Sequence, residues 1–303
     1  MLVGLVVPAA EGGNDAMLER DSYPPGVPCW VDTQQPDPEA AVDFYGELFG
    51  WQFDERTPPG SPERYFFAKL RGRDVAGLGS LPEGAPASAV WNTYICVASA
   101  DEAAEKAKDA GGRVLMEPFD VSESGRMGVL ADPSGAVFCV WQAKELAGAQ
   151  LVNEPGTWNF SDLNTRDPEG ARAFYGAVFG WEASTLDAQA GDFGFWRMPG
   201  YGDFLEQRDP DVRERQADVG APEGFEDAVA WLVPMTSPQF PDDVPPHWSI
   251  TFAVDDADAI ADRAAQLGGK VLAPPMDAPW VRMTILSDPQ GAVFTASKFV
   301  PPT

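Results

Sequence analysis

The chain has 303 residues, 44% hydrophobic and 22% charged, with a formal net charge of −26 at pH 7. That length holds two domains, each able to bury its own core, and the composition is that of an ordinary globular protein. The acidity argues against nucleic acid and against anionic membrane surfaces, both of which need clustered Lys and Arg. Cys29, Cys96 and Cys139 have no CxxC spacing and sit in apolar, strand-like runs, which points to reduced buried thiols in a cytoplasmic protein. No apolar run reaches membrane-spanning length.

Residues 1–22 read as a disordered leader, with a short apolar run that no basic residue precedes. Cys29–Thr33 is strand-like. Asp37-Pro38-Glu39 then opens a helix, with Asp at the N-cap and Pro at N1, and Gly50 closes it. Strands are expected at 51–55, 64–70 and 75–81. A second unit follows: a strand at 91–98, an Ala-rich helix at 101–110, and strands at 113–117, 127–131 and 136–142.

The stretch from Trp30 to Trp51 is then said again from Phe160 to Trp181, at an offset of 130 with no gap. Asp32 falls on Asp162, Phe44-Tyr45-Gly46 on Phe174-Tyr175-Gly176, and Phe49-Gly50-Trp51 on Phe179-Gly180-Trp181. Such a repeat signals duplication. Further on, His247–Val254 matches 91–98, and Asp288-Pro289-Gln290-Gly291 matches Asp132-Pro133-Ser134-Gly135, at an offset of 156 or 157. About 27 extra residues therefore lie in the second half, visible as a charged segment around 203–230. Long insertions of this kind are lids or surface loops. The expected organisation is domain 1 at 23–146, a linker at 147–156, and domain 2 at 157–303 with the insertion.

Two tandem βαβββ units per domain, with Phe-Tyr-Gly and Phe-Gly-Trp after the first strand and Asp-Pro-x-Gly before the last, resemble the vicinal oxygen chelate family. That family includes glyoxalase I, the bleomycin-resistance proteins and the extradiol dioxygenases. Trp91-Asn92-Thr93-Tyr94, Leu151-Val152-Asn153-Glu154 and Asp288-Pro289-Gln290-Gly291-Ala292 further resemble an actinobacterial culture-filtrate antigen group labelled glyoxalase-like or hydroxylase. The resemblance implies an α+β fold of two glyoxalase-like domains. In each, two βαβββ units form a curled mixed sheet, a cup, with the helices outside.

In that family the cup holds a metal on His or Glu side chains at set strand positions. Here those positions carry Trp30 and Phe160, Asn92 and Ser249, and Cys139 and Thr295. None is a carboxylate or a histidine, and a divalent cation needs several converging donors. No metal and no cofactor are expected. Period-two alternation puts Trp30, Asp32 and Gln34 on one cup face with Asn92, Tyr94, Cys139 and Trp141. It puts Phe160, Asp162 and Asn164 with His247, Ser249, Thr251 and Thr295. Aromatic walls with a few polar groups suit an organic ligand.

Asp32, Asp162 and His247 are the candidate catalytic groups. A carboxyl facing an apolar cup has a raised pKa and can move protons beside a carbonyl. The alternatives are an aspartate paired structurally with a strand end or an arginine, and a rim histidine with no catalytic part. Two functions remain open. One is a metal-independent enzyme, a lyase, isomerase or dehydration–cyclisation catalyst acting on a small or polycyclic aromatic or carbonyl metabolite, with a place in secondary metabolism. The other is a non-catalytic protein that sequesters such a molecule. In either case the partner is a small molecule and the protein is a monomer or homodimer. The insertion and the sole histidine mark domain 2 as the more interesting cup.

Overall fold

A computed structural model describes residues 19–57, 60–82, 84, 88–186, 192–236 and 240–301. Domain 1 runs β1 (Pro28–Gln35), α1 (Pro38–Phe49), β2 (Gln52–Glu55), β3 (Tyr65–Leu70) and β4 (Arg73–Ser80). Its second unit is β5 (Val90–Cys96), α2 (Ala100–Asp109), β6 (Arg113–Val121), β7 (Gly125–Ala131) and β8 (Val137–Ala143). Together they make one eight-stranded sheet in the order β2-β3-β4-β1-β5-β8-β7-β6. The two units join through the antiparallel pair β1–β5, while β4 and β8 lie parallel to the first strand of their own unit.

Domain 2 repeats this with β9 (Trp158–Thr165), α3 (Pro168–Phe179), β10 (Glu182–Thr185), β11 (Gly194–Arg197) and β12 (Ala228–Pro234). Two short helices, α4 (Tyr201–Glu206) and α5 (Val212–Asp218), and a 3-10 turn at Phe225–Asp227 interrupt the first unit. β13 (His247–Ala253), α6 (Ala257–Gln266), β14 (Lys270–Ala278), β15 (Val281–Ser287) and β16 (Val293–Phe299) complete it. The sheet order, β10-β11-β12-β9-β13-β16-β15-β14, is the same. No helix among the described residues is long and apolar enough to cross a membrane.

The duplicated helices form for local reasons. Asp37 accepts from the Ala40 amide at 3.1 Å and Asp167 from Gly170 at 2.9 Å, each followed by Pro at N1. Gly50 and Gly180 end them in the left-handed region, at φ 73° and 75°. Each buries one apolar stripe: Ala41, Phe44, Tyr45, Leu48 and Phe49 in α1, and Ala171, Phe174, Tyr175, Val178 and Phe179 in α3.

What they bury it against is the other domain. One core cluster mixes Phe44, Tyr45 and Phe49 with Ile250, Phe252 and Phe294. The other mixes Phe174, Tyr175 and Phe179 with Ile95, Phe138 and Val140. Between the sheets, the Thr93 hydroxyl donates to Ser161 at 2.8 Å. The helices are thus shared between halves.

Several boundaries differ from the sequence reading. β6 runs on past Glu117 to Val121, through Pro118, and β14 runs through Pro274 and Pro275. Both are edge strands with register shifts at these prolines, which is where a sheet tolerates a residue lacking an N–H. Residues 228–230 are not insertion. They begin β12, which lies parallel beside β9. Of the expected leader, residues 1–18 lie outside the described residues. Glu19 bridges to Leu151, and the Arg20 amide donates to the Gln150 carbonyl at 2.8 Å.

Candidate functional site

The two cups share a frame but not a filling. In cup 1, Asp32 is 2% exposed and both of its carboxylate oxygens are hydrogen-bonded. Asn92 Nδ2 donates to Oδ1 at 2.9 Å, while the Tyr94 and Tyr65 hydroxyls donate to Oδ2 at 2.8 and 3.1 Å. Burial raises its pKa, and the three hydrogen bonds work in the opposite direction. The Trp30 indole donates to Tyr65 at 3.2 Å and its ring packs on Phe67. Trp141 turns its N–H to the Leu146 carbonyl at 2.8 Å and its edge to Tyr94. Burial pushes the Cys139 thiol far up.

Tyr65 fits over the sheet because β4 has no side chain there. A Cβ on Gly77 would stand 2.0 Å from the Tyr65 hydroxyl, and one on Gly79 would stand 2.9 Å from its ring. Cup 1 is therefore packed by its own side chains. Gln34 is half-buried, and its register partner is Val90.

In cup 2 the residue beside Asp162 is Trp231, in the register position that Gly77 holds beside Asp32. Phe193 stacks on Trp231 at a centroid distance of 5.6 Å, and Phe160 meets it edge-on at 5.8 Å. Opposite, two large side chains become small, Tyr94 corresponding to Thr251 and Trp141 to Ser297, while Cys139 corresponds to Thr295. Asp162 is 2% exposed. Its Oδ2 accepts from Thr251 at 2.9 Å and from Ser249 at 3.4 Å, and Asn164 in turn donates to the Ser249 hydroxyl at 2.9 Å. Its Oδ1 has no partner. Burial, only partly offset by the two hydroxyls, pushes its pKa up to about 7. Trp231 Nε1 and Ser297 Oγ are likewise buried and without partners.

The insertion reaches this cup. Phe225 is buried against Phe160, Phe195 and Trp231, with Val219 and Ala221 beside the same cluster. Trp280 and Phe299 pack on that cluster as well.

Of the sequence-derived site residues, the fold brings Asp32 together with Trp30, Asn92, Tyr94, Cys139 and Trp141, and Asp162 with Phe160, Asn164, Ser249 and Thr251. Thr295 pairs with Thr251 on the adjoining strand. His247 stands apart from Asp162. It is registered opposite Asn164 at the start of β13, and its Nδ1 faces its own Pro245 carbonyl at 2.8 Å. Sequence reasoning missed Tyr65, Phe193, Trp231 and Phe225. A signal existed for one: Val75-Ala76-Gly77-Leu78 and Val229-Ala230-Trp231-Leu232 align around the changed position.

The residues do not fit the metal of related cups. The rungs Trp30–Tyr94–Cys139 and Phe160–Thr251–Thr295 offer no imidazole or carboxylate. No group of three His, Cys, Asp or Glu side chains converges among the described residues.

A model described as Glyoxalase/Bleomycin resistance protein/Dioxygenase superfamily matches residues 30–140 and again 158–295. The chain is 41% identical over 288 residues to "Putative glyoxylase CFP32" of Mycobacterium bovis, covering 94% of this chain and 99% of that one. It is 33% identical over 289 residues to the anthracycline biosynthesis protein DnrV of Streptomyces peucetius, covering 90% and 93%. Among solved structures, the Mn(II)-bound glyoxalase from Novosphingobium aromaticivorans superposes with a TM-score of 0.56 at 16% identity, covering 90% of this chain and 82% of the other. The 2,3-dioxygenase LapB from Pseudomonas sp. KL28 gives 0.56 at 12% identity, covering 92% and 95%. At such identities the two structures are similar in fold alone.

Proposed function

The chain belongs to the glyoxalase/bleomycin resistance/dioxygenase superfamily, and on that premise we propose that it binds an aromatic or conjugated carbonyl compound in the cup of domain 2, without a metal, and moves a proton on it with Asp162. The observation that carries this reading is the state of that carboxyl. It is buried among aromatic rings with its pKa pushed up to about 7, and one oxygen is unpartnered. A group poised near neutral pH is present in both its acid and its base form.

The chemistry follows from the two oxygens. Thr251 and Ser249 hold Oδ2, which fixes the plane of the carboxyl. Oδ1 is left to meet the ligand. As carboxylate it takes a proton from the carbon next to a carbonyl. As the acid it returns the proton to the neighbouring carbon, or to a departing hydroxyl. Isomerisation, elimination and dehydration–cyclisation all need only this. Phe160, Trp231 and Phe193 offer faces for a planar ring system. A relative named for anthracycline biosynthesis supports a polycyclic substrate from secondary metabolism. Asp32 is left out, because both of its oxygens already accept hydrogen bonds from within the cup. His247 is a rim group in this reading.

The test titrates wild type, Asp162→Asn, Asp32→Asn and His247→Ala with polycyclic aromatic ketones and follows binding and conversion. The expected result is that Asp162→Asn binds but does not convert, while His247→Ala does both. Binding with no conversion by wild type would sink the catalytic half of the proposal and leave a sequestering protein.

A further inference from the structure

We propose that a small chamber beneath the insertion is the subsite for a hydroxyl group on the ligand of cup 2; the proposal rests on the reading of that cup and names a substituent its substrate carries. The chamber has a volume of about 110 Å³ and lies where α4 and α5 meet the start of β9. Trp158, Asn159 and Phe160 line it from the strand, and Leu205, Arg215 and Phe225 from the insertion.

Three of these side chains carry buried polar atoms without partners: Trp158 Nε1, Asn159 Oδ1 and Arg215 Nε. Trp158 as a whole is only 5% exposed. A buried donor or acceptor left unpaired is costly, and three around one cavity are what a polar occupant would satisfy. The set contains two N–H donors and one carbonyl acceptor. A hydroxyl matches it, since its oxygen accepts two hydrogen bonds and its O–H donates one.

Arg215 does not call for an anionic partner. The two terminal nitrogens of Arg215 already hold the Asp209 carboxylate, so the guanidinium is neutralised within the insertion. The space is large enough for a polar substituent of a ring seated in the cup. The position fits the cup. Phe160 and Phe225 line the chamber and also belong to the aromatic cluster around Trp231, which stands beside Asp162. A planar ligand seated on those rings would direct one edge to Asp162 and another to the chamber.

The experiment compares 2-acetylnaphthalene with its 6-hydroxy, 6-methoxy and 6-carboxy derivatives on the full chain, by calorimetric titration. The hydroxy compound is expected to bind about tenfold tighter than the parent, the gain of one well-made buried hydrogen bond. The methoxy and carboxy compounds should gain nothing. Trp158→Phe, which keeps the ring and removes the N–H, should abolish the hydroxyl preference, whereas Asp162→Asn should preserve it. Equal binding of the hydroxy and parent compounds by wild type overturns the chamber while leaving the cup reading intact. A preference for the carboxy compound overturns it in favour of an anion site. Phenol, followed through the Trp158 indole N–H resonance, separates the remaining cases. A shift with phenol but no binding of any naphthalene supports the chamber and sinks the cup, and no response to either sinks both.

Discussion

The Tyr45 hydroxyl donates to Asp288 Oδ2 across the domain boundary at 3.0 Å, and its duplicate, Tyr175, donates to Asp132 Oδ2 at 3.2 Å. Each tyrosine also accepts from the indole N–H of a tryptophan near the start of a strand, Trp91 of β5 at 3.1 Å and Trp248 of β13 at 3.0 Å. Each aspartate spends its other oxygen on its own turn: Asp288 Oδ1 accepts from the Gln290 and Ala292 amides, and Asp132 Oδ1 from Ser134 and Ala136. The two sequence motifs, Phe-Tyr-Gly and Asp-Pro-x-Gly, are therefore one device made twice. The tyrosine of each half reads the turn of the other.

Removing that hydroxyl should weaken the joint. Tyr45→Phe leaves the Trp91 N–H unpaired and strips one donor from Asp288, which keeps Gln35 at 2.7 Å. The expected loss is about 2 kcal/mol, in the range for a hydrogen bond to a charged group. Urea denaturation of Tyr45→Phe, Asp288→Ala and the double variant measures it. Additive losses would show that the two residues are not coupled.

Cup 1 makes a steric prediction. Gly77→Ala places a methyl group 2.0 Å from the Tyr65 hydroxyl and 2.9 Å from Asp32 Cβ. Tyr65 must leave Asp32, at a cost of about 1–3 kcal/mol for overpacking. Thermal unfolding checks the loss. Ligand binding in cup 2 should be unchanged, which separates the two cups.

The pH dependence of stability reports on Asp162. An aspartate in an unfolded chain titrates near pH 4, as a rough value, whereas burial lifts Asp162 to about 7. Between the two the folded protein holds a proton that the unfolded chain has released. Stability is therefore greatest below that window, falls as the pH rises through it, and levels off above neutrality. A difference of this size is worth on the order of 4 kcal/mol. Asp32, also raised by burial, contributes with the same sign. Asp162→Asn should flatten most of the slope seen in denaturation midpoints between acid and neutral pH. A variant profile parallel to wild type would mean that Asp162 is already ionised.

Much of this fold is legible in the chain because its signals are local. Asp37-Pro38 and Asp167-Pro168 cap helices whichever domain surrounds them, and the repeat between Trp30 and Trp51 fixes the duplication. The faces of Asp32 and Asp162 follow from strand alternation. The neighbours of those carboxyls do not, since a period of two says which side a residue faces and not which strand lies beside it. Tyr65 reaches Asp32 from two strands away, over two glycines that look like turn residues. Trp231 follows a charged insertion that hides the start of β12. The reach of Tyr45 to Asp288 spans 243 residues and has no local signature.

Phe225 supplies the final prediction. It stands on a 3-10 turn of the insertion, is 4% exposed, and contacts Phe160, Phe195 and Trp231. It covers the aromatic cluster of cup 2, so the proposed ligand would enter while the insertion is transiently open and would pack against Phe225 once it recloses. The segment that carries it is also held by ion pairs, Arg213 to Asp203 and Glu226, and Arg215 to Asp209. Phe225→Ala should cost about 3 kcal/mol of stability, as for a large-to-small change at a buried site. It should also raise the association rate of aromatic ligands and increase amide exchange across residues 201–227. Phe225→Leu should recover most of the stability and the slow entry. Stopped-flow binding and hydrogen exchange decide the matter: a variant that loses stability while taking up ligand at the wild-type rate would make the insertion a brace for the sheet and not a lid over the cup.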